Sequence, residues 1–250
     1  MKRTKAIVMA AGKGTRMKSD LPKVLVPVCG RPMIEYVLDT LTALGVDEIL
    51  VVVGYRSDLV RSELAERGVT FVEQTQQLGT GHAVMMCREH LVDHAGAVIV
   101  LAGDSPLTQR ASLQALLDEF ERTRPACLLG TTYKDEPRGL GRIVRDGAGQ
   151  FQAIVEEKDA TEAQRKIQEV NMSTYLFSCP DLLFALDRIK ADNVQAEYYL
   201  TDCPGVLHKA GRRVAALPVL KPIEALSINT VEELAIVEQT MRNHNASVGS

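Results

Sequence analysis

With 250 residues, 46% of them apolar, the chain is long enough for one continuous α/β core, and its formal net charge of −3 argues against partners held by bulk positive charge, such as a nucleic acid or a membrane surface. Five cysteines, at 29, 87, 127, 179 and 203, are scattered and never in C-x-x-C spacing, which argues against a disulfide framework and for a reduced, cytoplasmic setting. The basic start (Lys2, Arg3, Lys5) precedes an apolar run of about six residues, too short for a secretory signal, and no stretch approaches a membrane span.

Residues 5–10 read as a buried strand, followed directly by Ala10-Ala11-Gly12-Lys13-Gly14-Thr15-Arg16-Met17 and then Leu21-Pro22-Lys23. Gly12 and Gly14 allow a sharp turn and let backbone N–H groups approach a ligand. Lys13, Arg16, Lys18 and Lys23 place four cations within eleven residues of that turn. Backbone donors and cations at a strand end suit a polyphosphate; an ordinary βα turn with solvated Lys and Arg is the plain alternative. A P-loop needs Gly-Lys-Ser/Thr where Met17-Lys18 stand, and the dinucleotide fingerprint needs a glycine at 17, so the loop belongs to neither class.

Onward, 33–44 shows a helical period closed by Gly45, 48–53 is a strand, and Ser57 opens a helix to 67. Residues 69–73 are a strand, Thr80 opens a helix to about 90, 97–102 is a strand, 107–122 a helix and 126–132 a strand. This alternation predicts a parallel sheet covered on both faces, with ligands gathered at the carboxyl ends of the strands. The second half reads as a hairpin (139–145 and 151–156), a helix over 160–168, a strand at 170–177, helices at 180–189 and 198–210, a strand at 213–219 and a helix at 231–242. Residues 1–242 then form one domain, with 243–250 a frayed tail.

Asp104 stands just beyond the strand at 97–102, held rigidly at the ligand edge as a hard cation requires, although an Asp opening a turn before Pro106 needs no ligand. Opposite a phosphate loop, it is a candidate Mg²⁺ ligand. Gln74 and the turn at Gly79-Thr80 offer a carboxamide and a closely approaching backbone, which suit a base edge. The same segment also reads as a surface turn with Thr80 as a helix cap.

The order G-x-G-T-R-M then L-P-K resembles the signature of sugar-phosphate nucleotidyltransferases. With Q-L-G-T-G-H-A (77–83), G-D-x-P-L (103–107), G-x-G-R-I (139–143), I-V-E-E-K-D-A (154–160) and A-E-Y-Y-L-T-D (196–202), the chain from about 5 to 240 resembles the uridyltransferase domain of the bacterial N-acetylglucosamine-1-phosphate uridyltransferases (GlmU type). The resemblance implies a Rossmann-like α/β fold, its sheet mixed but mainly parallel and flanked by helices. It also implies Mg²⁺-dependent attack of a sugar-1-phosphate on UTP. Met9, Ala10, Ala11, Gly12 and Gly14 would line the uridine and phosphate end, with Arg16 and Lys23 on the phosphates. Gln74, Gly79 and Thr80 would read uracil, with Ala102 and Gly103 beside the metal aspartate, Asp104. Gly141, Glu156 and Asn171 would contact the sugar, and Asn229 would be the second metal ligand.

Three features depart from that family. Asn171 is followed by Met172-Ser173 instead of Thr or Ser and then Gly, which could alter the pocket around an N-acetyl group. The second metal segment reads Ser-Ile-Asn-Thr-Val-Glu (227–232), closer to sugar nucleotidyltransferases in general. No hexapeptide repeats follow, so neither a left-handed β-helix nor acetyltransferase activity is expected. Another sugar-1-phosphate or base is the alternative substrate, and a non-catalytic sugar-nucleotide sensor the alternative class.

Overall fold

The computed structural model describes residues 4–14, 17, 19–226, 228 and 230–248, with side chains described to 243. It opens with β1 (Lys5–Met9), then a 3-10 turn at Lys23–Leu25 and a hairpin of β2 (Pro27–Val28) and β3 (Arg31–Pro32) absent from the sequence reading. Next comes α1 (Met33–Leu44), ended by Gly45 in the left-handed conformation at φ +80°. The first half continues β4 (Glu48–Val53), α2 (Ser57–Glu63), β5 (Thr70–Glu73), α3 (Thr80–Met85), α4 (Arg88–Leu91), β6 (Ala97–Ala102), α5 (Arg110–Thr123) and β7 (Cys127–Tyr133). The second half holds β8 (Arg142–Arg145), β9 (Phe151–Val155), α6 (Glu162–Arg165), β10 (Glu169–Ser178), α7 (Cys179–Leu186), α8 (Asp202–Lys209), β11 (Val214–Leu217), a 3-10 turn at Pro222–Ala225 and α9 (Val231–Val248).

The sheet runs β11-β7-β10-β6-β1-β4-β5, with the β8–β9 hairpin attached to β10. β1 is parallel to β4 and β6, β4 to β5, and β11 to β7. β10 is antiparallel to both neighbours, β6 and β7. A wholly parallel sheet is therefore too simple. The α5 crossover leaves one strand's width between β6 and β7, and β10 fills it after the β8–β9 hairpin has reversed the chain.

Alternate residues of each inner strand enter different cores, which is why these strands are apolar throughout. Ile7, Leu50, Val98 and Val100 pack with Val84, Leu91, Leu182 and Leu207 on one face. Val8, Val51, Ile99 and Leu101 pack with Leu38, Leu41, Leu113 and Leu116 on the other. A smaller cluster of Val28, Met33, Leu107, Val237 and Met241 ties α9 to the β2–β3 hairpin. Leu107, expected in a helix, is drawn into that cluster, and α5 starts at Arg110. Among the described residues no helix is long and apolar enough to cross a membrane.

Candidate active site

The parallel strands end together. Met9 is level with Ala102 and Val52, and Val53 with Glu73, so the loops after β1, β4, β5 and β6 open on one edge. Antiparallel β10 meets β6 from Ser178↔Ala97 to Tyr175↔Val100, so its first residues extend past the carboxyl end of β6 toward that edge. Asn171 and the attached hairpin are thereby brought to the ligand side.

In the loop after β1, Gly14 has φ +65°, and a Cβ there would lie 2.6 Å from the Cβ of Lys23. Only glycine lets the Lys23 stem lie so close. Gly12 is different: its φ is not left-handed and a Cβ would meet nothing within 4 Å, so neither turning nor crowding requires glycine there. Lys23 is held by the buried neighbours Val24 and Leu25, and its ammonium lies 2.5 Å from Asp104 Oδ2. The Lys13 ammonium sits 5.3 Å from the Tyr55 ring centroid, a cation–π contact. Arg16, Lys18 and Asn229 lie outside the described residues.

Met9, Ala10 and Ala11 are tied into the sheet by their backbones. The Met9 carbonyl accepts from Gly103 N–H at 2.9 Å, Ala10 N–H donates to Val52 at 2.8 Å, and the Ala11 carbonyl accepts from Tyr55 N–H at 3.1 Å. Gln77 adds a second donor to the Ala11 carbonyl at 3.2 Å, a brace the sequence reading missed.

Among the residues expected to read a base, Gln74 is buried at 4% exposure, and its Nε2 reaches the Gly79 carbonyl at 3.1 Å and His82 Nδ1 at 3.0 Å. That commits the donor end and leaves Oε1 as acceptor. Gly79 has φ +109°, and a Cβ there would lie 2.5 Å from the Tyr198 carbonyl oxygen. The reason is a strap: Tyr198 N–H donates to Leu78 at 2.8 Å, Gly81 N–H to Tyr198 at 2.7 Å, and Leu200 N–H to Thr80 Oγ1 at 3.0 Å. The expected helix cap at Thr80 is therefore corrected. Gly79 precedes the helix with no side-chain cap, and the Thr80 hydroxyl holds Leu200 instead. The same strap ties down Tyr198 and Leu200, the chain turns at 200–201, and α8 begins at Asp202 rather than 198.

The three residues assigned to the sugar also meet. A Cβ on Gly141 would lie 3.6 Å from both Glu156 Oε1 and Asn171 Cβ, and Asn171 N–H donates to the Gly141 carbonyl at 2.9 Å. Burial, partly offset by a hydrogen bond from Thr201, pushes the Glu156 carboxyl up. Beneath it, the guanidinium of buried Arg142 pairs with Glu157 at 2.5 Å. Ser173, where the resembled family has glycine, keeps a left-handed backbone at φ +51°, and the register of β10 shifts between Asn171 and Thr174. The bulge survives the loss of glycine at the cost of strain. A separate cavity of about 480 Å³, lined by Thr4, Ala97, Phe120 and Ser178, lies at the opposite end of the strands.

Residues 6–195 match the MobA-like NTP transferase domain family. The chain is 44% identical over 242 residues to the bifunctional protein GlmU of Brevibacillus brevis, covering 97% of this chain and 52% of that protein. It is 46% identical over 242 residues to the GlmU of Heliobacterium modesticaldum, with the same coverage. The chain thus spans about half the length of the curated relatives it matches. In fold it is similar to a UDP-glucose pyrophosphorylase crystallised with UDP-glucose, at TM-score 0.76 and 16% identity, covering 97% of this chain and 99% of that one.

Proposed function

The chain belongs to the MobA-like NTP transferase domain family, and on that footing we propose that it joins UTP to N-acetylglucosamine-1-phosphate, forming UDP-N-acetylglucosamine and releasing pyrophosphate. The observation that carries the proposal is the meeting, on one edge, of the Lys23–Asp104 pair, the Gln74–Gly79 turn and the Gly141–Glu156–Asn171 group.

A phosphate oxygen of the sugar-1-phosphate attacks the α-phosphorus of UTP in line, and the bond to the β-phosphate oxygen breaks. Such a transfer needs positioning and charge stabilisation, and no covalent nucleophile. Lys23 neutralises charge on the phosphates, with Arg16 as a second cation from the same stretch of sequence and the backbone N–H groups of Gly12 and Gly14 as further donors. Gln74 Oε1 accepts from the base, with Gly79 and Thr80 shaping the slot and Met9–Ala11 its floor. Glu156 accepts from sugar hydroxyls, and Asn171 keeps one amide N–H for a sugar acceptor. Asp104, a hard oxygen donor at a strand end beside Ala102-Gly103, suits Mg²⁺ held by one carboxylate and substrate phosphates, with Asn229 as the second protein ligand. Bound there, the ion would offset repulsion between two anionic substrates. The scattered cysteines, with no C-x-x-C spacing, support a cytoplasmic setting for this reaction.

A second reading keeps the chemistry and changes the sugar, because Ser173 puts a Cβ on the bulge beside Asn171. Replacement of Asp104 by alanine tests the site itself. The expected result is loss of at least about a hundredfold in kcat with the unfolding midpoint preserved; a folded variant with near-normal turnover would remove Asp104 from the chemistry.

A further inference from the structure

The carboxamide of Asn171 is held at both ends. Its Oδ1 accepts from Ser173 N–H at 3.3 Å, and its Nδ2 donates to the Tyr175 hydroxyl at 2.7 Å. The first contact exists because the left-handed Ser173 folds the chain back on itself at the bulge. It also fixes which way the amide faces, since a flipped amide would set Nδ2 against the Ser173 N–H, two donors with no acceptor between them. The second contact comes from the core. Tyr175 is 1% exposed, level with Val100 on β6 and Leu129 on β7, and its ring stacks on Phe177 with centroids 5.8 Å apart. Burial first, and the Glu156 carboxylate second, push the phenol up, so it remains a neutral hydroxyl.

We propose that Tyr175 is a positioning residue for the sugar-1-phosphate: its hydroxyl, rooted in the central strands, holds the Asn171 amide so that the remaining Nδ2–H points at one sugar acceptor. This rests on the sugar-side reading above. Without the hydroxyl the amide keeps only the longer contact to Ser173 and turns more freely. The loss should then fall on the sugar and spare the nucleotide, whose residues lie on other loops.

The test compares wild type, Tyr175→Phe, Asn171→Ala and the double variant, measuring KM separately for N-acetylglucosamine-1-phosphate and UTP. Tyr175→Phe keeps the ring and its stacking on Phe177. It should raise the sugar KM about tenfold and leave the UTP KM within about twofold. In the Asn171→Ala background the same change should do nothing further, since the group being positioned is gone. An unchanged sugar KM, an equal rise in both KM values, or a full effect persisting without Asn171 would each overturn the proposal. A wild type that turns over no sugar-1-phosphate overturns the functional reading and the proposal with it; an active wild type with an unchanged Tyr175→Phe overturns the proposal alone.

Discussion

Lys23 joins two loops, its stem on Gly14 and its ammonium on Asp104. Truncation at Cβ keeps the Cβ against Gly14 and removes the rest of the stem and the ion pair with Asp104. Lys23→Ala should therefore cut kcat/KM at least about a hundredfold while the thermal midpoint holds, as steady-state kinetics and thermal unfolding would show. Asp202 carries a different expectation. Burial, then Asp192, Glu156 and Asp159, push its carboxyl from 3.8 to about 6. The folded state favours the protonated acid, so stability present below pH about 4 is lost as the pH rises through about 6. Discounted for its partial exposure, the effect is about 1 kcal/mol. Asp202→Asn should raise the unfolding midpoint at pH 8 by about 2–4 °C and leave it unchanged at pH 4; equal gains at both values would contradict this. At this scale, the glycine-lysine loop and Asp104 were legible because their spacing after a strand is local. Gly141, Glu156 and Asn171 came only through family resemblance, and the hydroxyl of Tyr175 on Asn171 had no sequence signal at all.

Elements were legible where period and punctuation agreed, as in α1 between Pro32 and Gly45, or β6 ending at Gly103. They were misread where a distant segment competes for the backbone. The strap between 78–81 and 198–200 takes the Tyr198 carbonyl, which a helix starting there would have paired with Asp202 N–H, and no local pattern announces a bond across 120 residues. The strap also explains Gly79, whose φ of +109° and 2.5 Å clearance from Tyr198 leave no room for a side chain. Gly79→Ala must move the Tyr198 backbone or break the strap, and should cost at least about 2 kcal/mol. Denaturant unfolding measures that loss, and a change below about 0.5 kcal/mol would show the strap to be loose. β10 was recognisable as a strand by its alternation, but its insertion between β6 and β7 follows from the β8–β9 reversal, which strand patterning does not encode.

For the whole molecule, the aligned ends of β1, β4, β5 and β6 make one edge the place where segments far apart in sequence can act together. The overhanging β10 and its hairpin add Gly141, Glu156 and Asn171 to that edge, where under the proposed function two anionic substrates are held against one Lys–Asp pair. Under the proposed function this edge transfers a uridylyl group to a sugar phosphate. Pyrophosphate release with Mg²⁺ tests it most directly, with UTP, CTP, ATP and dTTP crossed against N-acetylglucosamine-, glucose- and glucosamine-1-phosphate. A clear maximum is expected for UTP with N-acetylglucosamine-1-phosphate; a maximum at another pair would change the assigned substrate and point to the Met172-Ser173 bulge as its cause, and no release with any pair would contradict uridylyl transfer.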